Sequence, residues 1–177
     1  MGWVAPTNVA TGDVLTAAGW NQAVVANEQA LYAIMANVQS VHKTSTWQAA
    51  LSGSYQDVTG LSATITPTLA TSKVLVTATV LASTTVTTAS MLTGRVWRGS
   101  SATVLPFVAA ATQQSANTNW FLLHIQYLDS PATTAATTYQ FQIAGSNGGT
   151  NYTYVNLRGD ATSTQATSSF TLQEIPV

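Results

Sequence analysis

Lys73-Val74-Leu75-Val76-Thr77-Ala78-Thr79-Val80 is the stretch that decides the fold, because every second residue in it is apolar and the others are mostly polar. Successive side chains of a β-strand point to opposite faces, so Val74, Val76, Ala78 and Val80 would share one face. The same alternation recurs in residues 138–143 and 169–175. Each segment is therefore predicted to be a strand with one face in a core.

Around these three segments, nearly all of the chain after His42 consists of short β-branched stretches separated by Gly, Ser, Asn and Pro clusters. Such spacing is typical of all-β sandwiches. The predicted strands are 45–51, 54–58, 61–66, 73–82, 91–98, 103–110, 119–128, 137–144, 152–158 and 168–175. We therefore predict a mostly β fold, a jelly-roll-like antiparallel β-sandwich.

The predicted strand at 119–128 is more continuously apolar than the others, as expected for a strand that is covered on both faces. A neighbouring subunit would be one source of the second cover. His124 lies in this strand, where a hydrogen-bonded interface histidine is the ordinary interpretation. The alternative is that three copies meet on a threefold axis and hold a metal ion.

The N-terminal region has a different pattern. Residues 1–13 show no sustained period and predict an extended arm, whereas Thr16 is a candidate N-cap for a helix over residues 17–39. In heptad spacing, one apolar face of that helix would form a seam between three chains, with a polar residue fixing the register. Packing of the same face on the chain's own β-domain is the other interpretation. The seam residues are Trp20, Val24, Asn27, Leu31, Ile34 and Val38.

With 177 residues, the chain is long enough for one domain and an appendage. We therefore divide it into an N-terminal arm and helix, residues 1–42, for attachment and trimerisation, and a β-sandwich domain, residues 43–177.

Composition limits the function. Charged residues make up 6% of the chain and the formal net charge is −1, so the outer surface is predicted to be largely neutral and suited to packing against other chains. The few basic residues are scattered, which argues against nucleic-acid binding and against a polybasic membrane patch. No apolar run approaches the roughly 20 residues of a membrane-spanning helix, and no signal peptide is expected.

The candidates for chemistry are the six acidic residues and two histidines, and they form no local catalytic or metal-binding motif. We therefore expect no enzyme activity and no cofactor. Asp129, just before Ser130-Pro131, is predicted to form an Asx turn. Arg95 and Arg98 are interpreted as a subunit-interface ion pair or as edge-strand charges. The aromatic residues Trp47, Trp97 and Trp120 are interpreted as core packing, with a sugar-stacking platform as the alternative.

Two parts of the chain resemble tailed-bacteriophage virion proteins. The stretch Val9-Ala10-Thr11-Gly12-Asp13-Val14-Leu15-Thr16-Ala17-Ala18-Gly19-Trp20-Asn21, preceded by Trp3 and Pro6, resembles an opening that recurs at their N-termini before a helix. The β-region looks like their β-domain, and the resemblance covers nearly the whole chain. It rests there on the segments 55–67, 72–76, 95–100, 127–131, 138–139 and 170–175.

The resemblance implies a non-enzymatic virion structural protein, typically a trimer, assembled in the host cytoplasm. No fibre shaft and no second receptor-binding domain are recognised, which favours a capsid decoration (cement) protein that contacts the major capsid protein. A short tail or neck fibre with a host-binding β-domain is the alternative, and a secreted carbohydrate-binding module is disfavoured by the missing signal peptide. The arm would supply the docking residues, which are Trp3, Val4, Pro6, Val9, Asp13, Val14 and Leu15.

Overall fold

The computed structural model describes the β-region of the chain and short parts of the N-terminal region. The described residues are 16–20, 24–25, 27–29, 31, 37–85, 90–99, 103–113, 120–145, 151–158, 162 and 166–177. Within them, helix α1 spans Ala17–Trp20, and residues 27–29 and 31 are also helical. The strands are β1 (Val38–Lys43), β2 (Trp47–Ala50), β3 (Gln56–Ile65), β4 (Lys73–Thr84), β5 (Ser90–Arg98), β6 (Thr103–Gln113), β7 (Phe121–Asp129), β8 (Thr137–Gly145), β9 (Tyr152–Val155) and β10 (Ser168–Ile175).

The strands form two antiparallel sheets that face each other. In the larger sheet, β4 lies between β10 and β7, β1 pairs with the far side of β10, and the short pair β9-β2 continues from the end of β4. The smaller sheet has the order β3-β8-β5-β6. Eight of these strands thus form the sheets β1-β10-β4-β7 and β3-β8-β5-β6, which is the strand order of a jelly roll. The predicted fold class is confirmed.

The core lies between the two sheets and is built from the alternation that the sequence shows. In β4, Val74, Val76, Ala78 and Val80 are completely buried, as predicted from the alternation in residues 73–80. Strands β8 and β10 contribute large buried aromatic side chains from the opposite sheets. Removing such area from water is the main stabilising contribution to a sandwich of this kind.

Strand β3 joins two predicted strands, 54–58 and 61–66, into one. Its pairing with β8 shifts register between Asp57 and Ser62, so β3 carries extra residues there as a β-bulge. Gly60 has a φ of 88° inside this bulge, a conformation that glycine adopts without steric cost. The small residues that suggested a break therefore mark an irregularity within a continuous strand.

Asp129 closes β7 with a buried polar cluster. Its Oδ2 accepts a hydrogen bond from Arg98 Nη1 at 2.6 Å and another from the Tyr139 hydroxyl at 2.7 Å. Burial and then the neighbouring carboxylate raise the pKa of Tyr139 well above its ordinary range, which keeps the phenol protonated as a donor. The predicted Asx turn is wrong, because the carboxylate accepts hydrogen bonds from the side chains of Arg98 in β5 and Tyr139 in β8.

The N-terminal helix begins as predicted, since Thr16 Oγ1 accepts a hydrogen bond from the backbone N–H of Gly19 at 3.1 Å. Its predicted end at residue 39 is wrong. Val38 is the first residue of β1 and pairs with Gln173 of β10. The backbone forms hydrogen bonds with β10 there, and a β-branched residue such as valine favours the strand conformation. The predicted domain boundary at 42/43 consequently falls inside β1.

Candidate functional site

The outer face of the β1-β10-β4-β7 sheet is a regular surface formed by four neighbouring strands. Its members follow from the strand register, which aligns alternate residues of the four strands. The same alternation places Ile175 and Lys73 at one end of this face, and Lys73 is the one charged residue among the aligned positions. We call this surface the neutral face, and its residues are Val38, Ser40, His42, Lys73, Leu75, Thr77, Thr79, Leu81, Leu122, His124, Gln126, Leu128, Ser169, Thr171, Gln173 and Ile175.

Large apolar side chains stand exposed on the neutral face. Leu122 is 60% exposed, and Leu128 and Val38 are each 43% exposed. The register places Leu128, Leu75, Gln173 and Val38 in one row across the four strands. Among the described residues, strand β7 is therefore covered on one face only, and they do not supply the second cover predicted for it.

Hydroxyl and imidazole groups occupy the rows between the apolar ones. The Oγ of Ser40 and the Oγ1 of Thr171 form a hydrogen bond of 2.9 Å, and the Oγ1 of Thr79 lies 3.1 Å from the Nδ1 of His124. His124 is exposed and hydrogen-bonded, and its place in an interface stays a prediction. Among the described residues, no group of three or more His, Cys, Asp or Glu side chains is placed to hold a metal ion.

A second feature lies on the outer face of the smaller sheet. It is an open groove of about 310 Å³, which we call the Trp97 groove, and it is lined by Asp57, Trp97, Gly99, Thr138 and Gln140. These residues come from β3, β5, β8 and the turn after β5. The indole N–H of Trp97 donates to the carbonyl of Gly99 at 2.9 Å, which fixes the ring on the wall of the groove.

A hydrogen-bonded row supports one end of the groove. Arg95 Nε donates to Gln142 Oε1 at 2.8 Å, and Gln142 Nε2 donates to Asp57 Oδ1 at 2.7 Å. The guanidinium of Arg95 also lies 3.8 Å from the ring centroid of Tyr55, within the range of a cation–π contact.

Of the two interpretations of Arg95 and Arg98 from sequence, edge-strand charge is wrong, and the subunit-interface ion pair stays a prediction. Arg98 pairs with Asp129 of the same chain, and Arg95 contacts Gln142 and Tyr55 of the same chain. Their strand, β5, lies between β8 and β6, so it is not an edge strand.

The predicted seam is described only in part. Val24 is 38% and Leu31 is 54% exposed, whereas Asn27 is buried at 6% exposure. Val38 lies in β1 instead. Ile34 and the side chain of Trp20 lie outside the described residues, as do all the arm residues, Trp3, Val4, Pro6, Val9, Asp13, Val14 and Leu15. Along the described part of the chain, no helix has the length and apolar character needed to cross a bilayer.

Comparison with known proteins finds distant similarity to solved virus structures. No protein-family model matches the chain, and no curated protein matches it. Among solved structures, the T=1 particles derived from infectious bursal virus match with 14% identity over 78% of this chain and 36% of that chain, with a TM-score of 0.42. The VP2 subviral particle of infectious bursal disease virus matches with 14% identity over 76% of this chain and 36% of that chain, with a TM-score of 0.38.

The chain thus spans roughly a third of the length of each of these structures, 36% in both cases. The strand order of the chain itself, β1-β10-β4-β7 against β3-β8-β5-β6, is what identifies the fold as a jelly roll.

Proposed function

We propose that this chain is a structural protein of a tailed-bacteriophage virion, and that it acts as a homotrimeric capsid decoration protein. In this proposal residues 1–16 dock on the shell, the part of the region 1–42 that precedes β1 serves attachment and trimerisation, and the jelly roll, which includes β1, contacts the major capsid protein. No catalytic step is part of the proposal. A jelly roll alone does not specify a function, so support for the proposal comes from the neutral face and the N-terminal region.

The neutral face is the observation that carries the proposal. The cores of protein–protein interfaces are depleted of charged residues, and this face has a single one, Lys73 at its end, among its aligned side chains. Leu122, Leu128 and Val38 would leave water if the face were covered by another protein. Charged residues make up only 6% of the whole chain, which favours a protein that is part of an assembly over one that diffuses freely.

The N-terminal region supports a trimeric attachment. The sequence there resembles the openings of phage virion proteins, and the exposed side chains of Val24 and Leu31 share the heptad position proposed for the seam. Joining three chains at their N-termini would bring three jelly rolls and three arms to one point of a lattice. Weak individual contacts would then act together on the same particle.

A short tail or neck fibre is the second candidate. The Trp97 groove favours it, because a concave site with an aromatic wall is a feature that host-surface binding uses and lattice packing does not require. The two candidates differ in where the chain lies on the particle and in how many copies are present.

Cryo-electron microscopy of intact particles tests the proposal. A decoration protein would give density for this chain at many threefold or quasi-threefold positions over the shell. Density confined to the tail or neck would contradict decoration and support the fibre.

A surface variant tests the neutral face on the same particles. Leu122→Glu places a charge at its most exposed apolar side chain and should prevent incorporation while the isolated protein stays folded. Ala135→Glu is the matched control, since Ala135 is exposed in the loop between β7 and β8. Normal incorporation of the Leu122 variant would show that the face is not the contact.

A further inference from the structure

We propose that the Trp97 groove is a binding site for a neutral saccharide. The inference concerns the smaller sheet, on the opposite side of the sandwich from the neutral face. It holds for either location on a virion, since the groove belongs to the jelly roll of a single chain. The chemistry of its lining residues carries it.

The groove combines one aromatic wall with several oxygen acceptors. Trp97 supplies a flat apolar surface of the kind on which the C–H face of a sugar ring packs. Hydroxyl groups of a sugar are donors, and the groove offers them the Asp57 carboxylate, the Gln140 side-chain oxygen and the Thr138 hydroxyl.

These polar groups are held in place by other contacts that leave acceptors open. Gln140 uses its Nε2 to bind the carbonyls of Val58 and Phe141, at 3.1 and 3.3 Å, which fixes its amide and leaves Oε1 available. Asp57 uses Oδ1 to accept from Gln142. The Thr138 hydroxyl is bonded to Thr64 at 2.7 Å, and a hydroxyl oxygen has a further lone pair to share.

The bulge in β3 shapes the groove. Residues of β3 between Asp57 and Ser62 leave the regular pairing with β8, and the Gln140 amide bonds to Val58 within this irregular stretch. Bulges of this type re-aim side chains at functional sites. A regular ladder would instead pair β3 and β8 continuously at this point.

The charge of the site selects a neutral ligand. The Asp57 carboxylate is linked through Gln142 to the Arg95 guanidinium, so the row carries one negative and one positive charge. A cationic ligand would be attracted by the Asp57 carboxylate and repelled by the Arg95 guanidinium, and an anionic ligand would be attracted by Arg95 and repelled by Asp57. A neutral polyol needs no charged partner, and its hydroxyl donors match the exposed oxygen acceptors of the groove.

The size of the groove sets the extent of the ligand. Its volume of about 310 Å³ lies at the small end of ligand pockets, and the groove is open along one side. It therefore suits roughly one or two sugar rings at the end or side of a longer glycan. Affinity for a short probe should be weak, with a Kd on the order of 1 mM.

The test uses the isolated full chain, labelled with ¹⁵N, and the indole N–H signals of its tryptophans. The probes are galactose, glucose, N,N′-diacetylchitobiose and maltotriose, each titrated to about 20 mM, above the expected Kd. At least one of them should shift the Trp97 signal in a saturable way and leave the Trp120 signal unchanged. Choline chloride and sodium sulfate serve as cationic and anionic probes.

Variants establish that the shift reports binding in the groove. Trp97→Ala should weaken binding about tenfold, and Trp97→Phe, which retains an aromatic face, should weaken it less. Asp57→Asn and Thr138→Val should each weaken binding with little disturbance of the fold, since both lie at exposed positions. Thr77→Val on the neutral face is the matched control and should bind like the unmodified protein.

Three results would overturn the inference. They are the absence of any Trp97 shift with all four saccharides, a shift with choline or sulfate in place of the sugars, and unchanged sugar binding by both Trp97→Ala and Asp57→Asn. Because no particle takes part in the experiment, its failure would leave the proposed virion role untouched.

Discussion

Glu174 is a carboxylate inside the sandwich. It lies on β10 with only 2% of its surface exposed. Its Oε1 accepts from the backbone N–H of Thr68 at 2.8 Å and from the Thr68 hydroxyl at 2.7 Å, and its Oε2 accepts from Asn37 Nδ2 at 2.6 Å. Burial opposes ionisation, but the Ser72 hydroxyl together with the Asn37 and Thr68 donors outweighs it and holds the pKa of Glu174 below its ordinary value.

The lowered pKa predicts how stability depends on pH. The unfolded chain binds a proton at Glu174 more readily than the folded chain does, so folding favours the ionised form. The contribution is fully present above the ordinary pKa of 4.5 and is lost as pH falls through the lower folded value. Urea unfolding of the unmodified protein should therefore show decreasing stability from about pH 4.5 downward.

Glu174→Gln isolates this contribution. The amide nitrogen of Gln would face the donors of Asn37 or Thr68, which costs about 1–3 kcal/mol at neutral pH, and the difference from the unmodified protein should narrow at acidic pH. Glu28→Gln is the control, because it makes the same substitution at an exposed carboxylate, and it should alter the free energy of unfolding by less than about 0.5 kcal/mol. Equal effects of the two substitutions at pH 7 would contradict this account.

At the scale of the element, β5 depends on a glycine. A Cβ on Gly94 would lie 2.5 Å from Cζ of Phe141 and 3.2 Å from Cδ1 of Leu123, a buried residue of the opposite sheet. Gly94→Ala should destabilise the protein by about 1–3 kcal/mol, because the packed ring of Phe141 has nowhere to move. Gly53→Ala is the control, since a Cβ there meets no atom within 4 Å. Thermal unfolding measures both, and similar values would refute the packing argument.

Strand positions were predictable from sequence wherever alternation was strong. The segments 73–82, 137–144 and 168–175 correspond to β4, β8 and β10 because apolar residues at every second position leave one possible buried face. Strand β1 was missed. Val38 continued a heptad pattern, and the strand has a largely exposed sequence whose partner, β10, lies more than a hundred residues away.

The surfaces were less predictable than the strands. Asp57, Trp97 and Gln140 belong to three strands, and only the register of β3, β8 and β5 places them in one groove. Trp97 had two interpretations from sequence, core packing or sugar stacking, because a single aromatic residue in a strand fits both. For the neutral face, the composition already showed that charged residues are few. That uncharged residues gather on one face of a sheet follows only from the pairing of β1 with β10 and of β7 with β4.

At the scale of the whole molecule, the two sheets offer different surfaces. One carries the neutral face, with exposed leucines and hydroxyls, and the other carries a groove with a compensated charge pair. If the first is covered by capsid protein as proposed, the second points away from that contact, because the two outer faces lie on opposite sides of the core. Stabilising the particle and binding a glycan would then be compatible in one chain.

Trimerisation links these surfaces to the N-terminal region, and it gives the last prediction. Leu31, 54% exposed in the single chain, shares the proposed heptad position with Val24. Leu31→Asp would place three carboxylates together in the seam, where desolvation and mutual repulsion oppose association. Light scattering coupled to size exclusion should show a trimer for the unmodified protein and a folded monomer for the variant.

Val25→Asp supplies the matched control, because Val25 is 39% exposed but lies one residue away from the stripe. It adds the same charge to the same segment and should leave the trimer intact. If both substitutions leave a trimer, the contact between chains lies outside the helix, and the exposed edge of β7, which pairs only with β4 among the described strands, becomes the surface to change. If both give monomers, charge anywhere in this segment is enough, and the heptad register does not define the seam.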